Sequence, residues 1–147
     1  MFERSWHFFV RGQPITQGSM RAFVVKGRPI ITSANKNLKD WRTLVALQAQ
    51  TEATVECPLD GPFFMTLEFY MPRPKSLKKR GMDYPIRARS GDIDKLSRAV
   101  LDSLTNVFYK DDSQVVQMDV KKNWANEEQP PGVFVEISGG DLMETSR

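Results

Sequence analysis

Residues 91–105 read Gly91-Asp-Ile-Asp-Lys-Leu-Ser-Arg-Ala-Val-Leu-Asp-Ser-Leu-Thr105, and the chain continues Asn106-Val-Phe-Tyr-Lys-Asp-Asp-Ser-Gln-Val-Val116. Leu96, Ala99, Val100, Leu104 and Val107 recur at spacings of three and four, with Leu101 near the edge of the stripe. This predicts an amphipathic helix that starts at about Asp94 and ends at Asn106. Asp94, Arg98 and Asp102 recur every four residues on roughly the opposite side, and Lys95 lies close to them. Asp92 and Asp94 stand two apart. On a helix such a pair diverges by about 200°, whereas on an extended run both side chains project to one side. The pair is therefore expected on the lead-in to the helix. Asp111 and Asp112 follow just past it and open a strand. Acids gathered this closely repel one another, and a hard divalent cation such as Mg²⁺ is the usual neutraliser of oxygen-rich groups.

Each feature also has a plainer reading. Asp94 suits the N-cap of the helix, where free backbone N–H groups and the helix dipole favour a carboxylate, and Asp92 is then a surface acid. Exposed i,i+4 ion pairs worth ~0.3–0.5 kcal/mol each account for the Asp94–Arg98–Asp102 stripe. Other site types fail on their details. The run lacks the third ligand and the glycine of an EF-hand loop, and the chain has no Gly-x-x-x-x-Gly-Lys. His7 is the single histidine and Cys57 the single cysteine, which removes zinc ligation of the usual kind and any Ser–His or Cys–His pair of plausible origin.

Working outward, Ser5 to Val10 alternates, with Trp6, Phe8 and Val10 on one side, and predicts a strand. Residues 16–32 suggest two short strands joined at Lys26-Gly27-Arg28, a basic hairpin that includes Arg21. Ser33 or Asn35 is the expected cap of a helix through Leu38, Trp41, Leu44, Val45 and Leu47 to about Ala53, with Trp41 in the core. Phe63 to Met71 is the clearest strand, Phe63, Met65, Leu67, Phe69 and Met71 lining one face. Residues 72–90 hold prolines and no apolar period, so a long functional loop is expected. Residues 114–124 predict a strand with Val116, Met118 and Val120 on one face, and Val133 to Ile137 a last strand before a polar tail at 139–147. Strands and helices mix without a regular β-α-β repeat, so the expected class is α+β. The expected unit is one domain over residues 1–138, a mixed sheet flanked by two main helices.

The net charge of +3 conceals an asymmetry. Residues 72–90 carry Arg73, Lys75, Lys78, Lys79, Arg80, Arg87 and Arg89 against Asp83 alone, whereas residues 91–147 hold six basic and eleven acidic residues. A basic segment beside an acidic one suits a protein that holds phosphates with one part and a metal with the other. A solvated loop beside a charged helix has the same composition. No apolar run is long enough to span a membrane, no secretory signal is evident at the N-terminus, and a lone cysteine fits a reducing cytoplasm.

The two blocks Asp92-Ile-Asp-Lys-Leu-Ser-Arg-Ala-Val-Leu-Asp-Ser-Leu and Tyr109-Lys-Asp-Asp-Ser-Gln-Val-Val, at this separation, resemble the signature of the RusA-type Holliday-junction resolvases. The resemblance is close over residues 91–121 and looser around Met71-Pro-Arg-Pro-Lys75 and from Gly12 to Arg21. It implies that Asp92, Asp94 and Asp112 are the catalytic metal-site acids, holding Mg²⁺, with Mn²⁺ as an alternative. It also implies a homodimer with two sites acting on four-way or branched DNA, in a family often encoded by phages. A lysine of that family falls at Arg98 here, a departure that keeps the charge without a titratable ammonium. Lys95, one position after Asp94, is the substitute.

The mechanism expected on this basis has a metal-bound water attacking the scissile phosphate in line. Arg98 or Lys95 offsets the added negative charge, and Asp102 and Asp111 orient Arg98 or water from behind. Arg73, Lys75, Lys78, Lys79, Arg80, Arg87 and Arg89, with Arg21, grip the DNA backbone. The alternative is a branched-DNA-binding protein that has lost activity.

Overall fold

The computed structural model describes residues 4–18, 20–25, 27–33, 37–75, 83–86 and 90–140, giving the backbone alone for 20–25 and 28–33. The strands are β1 (Ser5–Arg11), β2 (Met20–Val25), β3 (Arg28–Ser33), β4 (Phe63–Met71), β5 (Val115–Trp124) and β6 (Gly132–Gly139). The helices are α1 (Leu38–Glu52) and α2 (Ile93–Leu104).

β4 becomes the centre of the sheet because its alternation is the cleanest in the chain. Phe63, Met65, Leu67, Phe69 and Met71 are all buried, and the residues between them are half-buried. It pairs with β6 on one side and β5 on the other, giving the order β1-β6-β4-β5, with β2 and β3 forming a separate hairpin. β1 and β6, and β6 and β4, run antiparallel, whereas β4 and β5 are parallel. A parallel pair cannot be closed by a tight turn, and here α2 makes the crossover. The architecture is thus α+β with a mixed four-stranded sheet and two helices, as expected.

Both helices pack on the sheet face that carries Trp6, Phe8 and Val10, α1 against β1 and α2 against β5, and they touch each other. α1 buries Trp41, Val45 and Ala49, one stripe at i, i+4 and i+8, and leaves Leu44 and Leu47 exposed. Its N-cap is Asn37 instead of Ser33, which closes β3, or Asn35, which lies outside the described residues.

Three further expectations are corrected. The start of β5 is irregular, with Phe63 opposite Val115 but Phe64 opposite Gln117. The extra residue, Val116, is thrown outward and is 60% exposed, so it does not share a face with Met118 and Val120. β6 reaches Gly139, which pairs with Phe63, so residue 139 belongs to the strand, and residues 141–147 lie outside the described residues. A side chain at Gly139 would stand 2.2 Å from the Pro62 carbonyl oxygen, so only glycine fits there. α2 ends at Leu104, with Asn106 just beyond it at φ 69°, the left-handed conformation that commonly stops a helix. Val107, expected on the helix face, is buried from the turn that follows.

Candidate functional site

The N-terminus of α2 carries the first acid pair. Asp92 holds the N-cap place with extended backbone (φ −79°, ψ 139°), and Asp94 lies just inside the first turn. The pair therefore straddles the helix boundary instead of sharing one extended run. An N-cap aspartate ordinarily accepts a backbone N–H with its side chain, but Asp92 makes no such bond. Its carboxylate is exposed and faces Lys95 Nζ at 3.7 Å. Asp94 is exposed as well.

The second acid group stands at the other end of the helix. Asp112 opens a 3-10 turn (Asp112–Gln114), and its carboxyl lies in hydrogen-bonding range of the Asp102 carboxyl. Partial desolvation and the Asp102 carboxylate raise its pKa above the ordinary aspartate value, and Asp111 adds to the effect. The turn is rigidly built. Asp111 accepts from the Ser113 backbone N–H at 2.8 Å, and Gln114 Oε1 accepts from the Asp111 N–H at 3.0 Å. Gln114 Nε2 also donates to the Leu59 and Gly61 carbonyls at 2.9 and 3.0 Å. Tyr109, fully buried, donates its hydroxyl to the Leu101 carbonyl at 2.7 Å beneath these acids. Burial, then Asp112 and Asp102, push its pKa upward. Asp111, expected to orient Arg98 or a water, is thus engaged in capping the turn, and its pKa is lowered chiefly by the Ser113 N–H.

Ten residues of helix at ~1.5 Å per residue place the Asp92 and Asp102 backbones about 15 Å apart along the axis. The two groups also sense different neighbours. Asp112 is perturbed by Asp102 and Asp111, while Asp92 acts on Lys122. Among the described residues, no three His, Cys, Asp or Glu side chains are arranged to hold a metal ion. The donors are all carboxylate oxygens, which suits a hard divalent cation, but a single chain does not bring Asp92, Asp94 and Asp112 around one. The capping box and the Gln114 bonds keep Asp112 where it is.

Between the two groups lies Arg98, exposed, its Nη1 3.2 Å from where a side chain on Gly18 would begin. The segment before β2 crosses α2 here. The Gln17 N–H donates to the Lys95 carbonyl at 3.0 Å, and Gln17 Nε2 donates to Asp102 Oδ2. Asp102, expected to orient Arg98, is thus held by Gln17. On β5, Lys122 turns toward the start of α2, donating to the Gly91 carbonyl at 2.7 Å and to Ser90 Oγ at 3.2 Å. Burial lowers its pKa, and Asp92 works in the opposite direction. Gln17 lies in the stretch from Gly12 to Arg21 where the resemblance is loose, and Lys122 lies just beyond the closely matching residues 91–121. The one signal for Lys122 is a cation in phase with Met118, Val120 and Trp124.

Of the expected DNA contacts, Lys78, Lys79, Arg80, Arg87 and Arg89 lie outside the described residues. Lys75 is exposed. Arg73 is half-buried with its guanidinium 5.7 Å from the centre of the Trp124 ring, lining an open groove of about 450 Å³ on the sheet face away from the helices. Arg21 takes its place in β2 opposite Thr32.

A parallel strand pair is thus bridged by a helix with acids at both ends. The family described as endodeoxyribonuclease RusA matches residues 11–138, and the chain belongs to that family. It is also similar to the uncharacterized protein YqaN of Bacillus subtilis (strain 168), 30% identical over 142 residues that cover 89% of this chain and 96% of that one. No helix among the described residues is long and apolar enough to cross a membrane.

Proposed function

We propose that this chain is a cytoplasmic, structure-selective endodeoxyribonuclease that resolves four-way and other branched DNA by paired phosphodiester cuts, working as a homodimer with Mg²⁺ or Mn²⁺. The observation that carries the reading is the pairing of Asp102 with Asp112 within a chain matched by the RusA family over residues 11–138. Each of two neighbouring carboxylates disfavours the charge on the other, and a bound cation relieves that repulsion. Among the described residues, the ion pairs Lys95–Asp92, Lys110–Asp60 and Lys121–Glu68 do not include either of them.

In this reading Asp92 and Asp94 supply one half of the acidic site and Asp112, backed by Asp102 and Gln17, the other. Arg98 and Lys95, between the halves, offset the negative charge that builds on the phosphate. The basic residues of 73–89 hold the DNA arms through their phosphates and leave the bases unread. Because the halves stand at opposite ends of α2, a shared ion needs Asp112 from a second copy. A two-fold axis across the middle of α2 exchanges its ends and meets that need.

Mixing two variants tests both the residues and their arrangement. Asp92→Asn and Asp112→Asn, each alone, are expected to lower nicking of a synthetic four-way junction on the order of a hundredfold or more. Equal mixing of the two restores about one site in four if the halves come from different copies, and none if they come from the same chain. Retained cleavage by either folded variant alone defeats the assignment. Arg98, in place of the family's lysine, favours a second reading, an inactive junction-binding protein. That reading predicts salt-sensitive binding with no product at any metal concentration.

A further inference from the structure

Beyond the bulge at Val116, Met118, Val120, Lys122 and Trp124 share the side of β5 that meets the core, and the three apolar residues among them pack against it. An ammonium on such a face must be received by acceptors, because desolvating an unpaired charge is costly. Lys122 is received by the chain entering α2. Its Nζ donates to the Gly91 carbonyl at 2.7 Å and to Ser90 Oγ at 3.2 Å, and Ser90 Oγ in turn donates to the Pro85 carbonyl at 2.9 Å. Lys122 thus joins β5 to Gly91, the residue before Asp92, and separately, through Ser90, to Pro85 within the basic segment. Gly91 is further confined at φ 95°, with Thr16 Cγ2 only 2.8 Å from the place a Cβ would take. The outcome is visible at Asp92. It occupies an N-cap position with extended backbone, yet its carboxylate stays out of the cap.

We propose that Lys122 is a positioning residue for Asp92. It fixes the Gly91 carbonyl, and with it the extended backbone that presents the Asp92 carboxylate outward. Through Ser90 it ties that acid to the segment that grips DNA. The inference rests on the role given to Asp92 above, and it adds a residue from β5 that neither the acidic motif nor the basic segment contains.

Lys122→Met, Lys122→Arg and Ser90→Ala separate this role from others. In Lys122→Met, amides over residues 90–96 are expected to exchange with solvent about tenfold faster or more. Junction affinity in EDTA stays within about twofold, and single-turnover nicking at saturating DNA and metal falls about tenfold or more, the scale of loss that follows a misplaced group. Lys122→Arg, whose guanidinium keeps the charge and has N–H donors for both acceptors, recovers most of both losses. Ser90→Ala moves the same readings in the same direction by a smaller amount, and it carries the test if Lys122→Met fails to fold. Unchanged exchange over residues 90–96 overturns the proposal. So does lost junction affinity with unchanged nicking at saturation, which marks Lys122 as a phosphate contact. If the wild-type protein does not nick junctions, the nuclease reading fails, and the exchange comparison still decides whether Lys122 holds the Asp92 run.

Discussion

Gly91 shows how much one residue without a side chain controls at this site. It stands at φ 95°, a region that L-residues rarely adopt, and a Cβ there would meet Thr16 at 2.8 Å. Gly27, in the β2–β3 turn at φ 78°, has the same backbone demand but nothing within 4 Å of a Cβ. Gly27→Ala is therefore expected to cost about 1 kcal/mol, the conformational penalty alone. Gly91→Ala should cost about 2–3 kcal/mol, because the steric conflict adds to the strain. Urea titrations of the two variants check the difference, and equal losses would mean that Thr16 yields freely. The sequence marks Gly91 only as a glycine before an Asp-x-Asp. Its contact with Thr16 is made across 75 residues of chain and has no local signature.

At the level of elements, α2 is the part most nearly readable in advance. Leu96, Ala99, Val100 and Leu104 are completely buried, as their spacing demands. Leu104→Ala is expected to destabilise the protein by about 2–5 kcal/mol, the range for a large-to-small change in a closed core. Leu47→Ala on α1, where the side chain is 56% exposed, should cost less than about 1 kcal/mol. Thermal or chemical denaturation of both variants gives the comparison, and similar losses would show that Leu47 is covered in solution. β5 is harder to read. Its apolar residues at 116, 118 and 120 suggest unbroken alternation, but the bulge puts Val116 outside. Register depends on the partner strand, and a single strand's sequence does not carry it.

For the whole molecule, the division of charge predicts how binding responds to salt. Residues 72–90 hold seven basic residues against one acid, beside a C-terminal part in which acids prevail. Replacing Lys78, Lys79, Arg87 and Arg89 together by alanine should weaken junction binding. The slope of log affinity against log salt should become shallower by roughly 0.9 for each phosphate that is no longer neutralised. A filter-binding titration across salt concentrations measures it, and an unchanged slope would mean that other residues grip the phosphates. Arg73 is set apart from this group, since its guanidinium lies over Trp124.

The sequence by itself determined the strands with clean alternation, the amphipathic helix, the identity of the acids and the resemblance that led to the family. All of these are properties of neighbouring residues, written in periods of two and 3.6 or in short spacings. Tertiary structure alone decided how far apart the acids stand. Asp-x-Asp and Asp-Asp look close in the chain, but the crossover from β4 to β5 puts a rigid helix between them, and its length sets their separation. It also brought in Gln17 and Lys122, because interactions with a distant strand or segment arise only when the sheet closes and leave no periodic trace in the residues that make them.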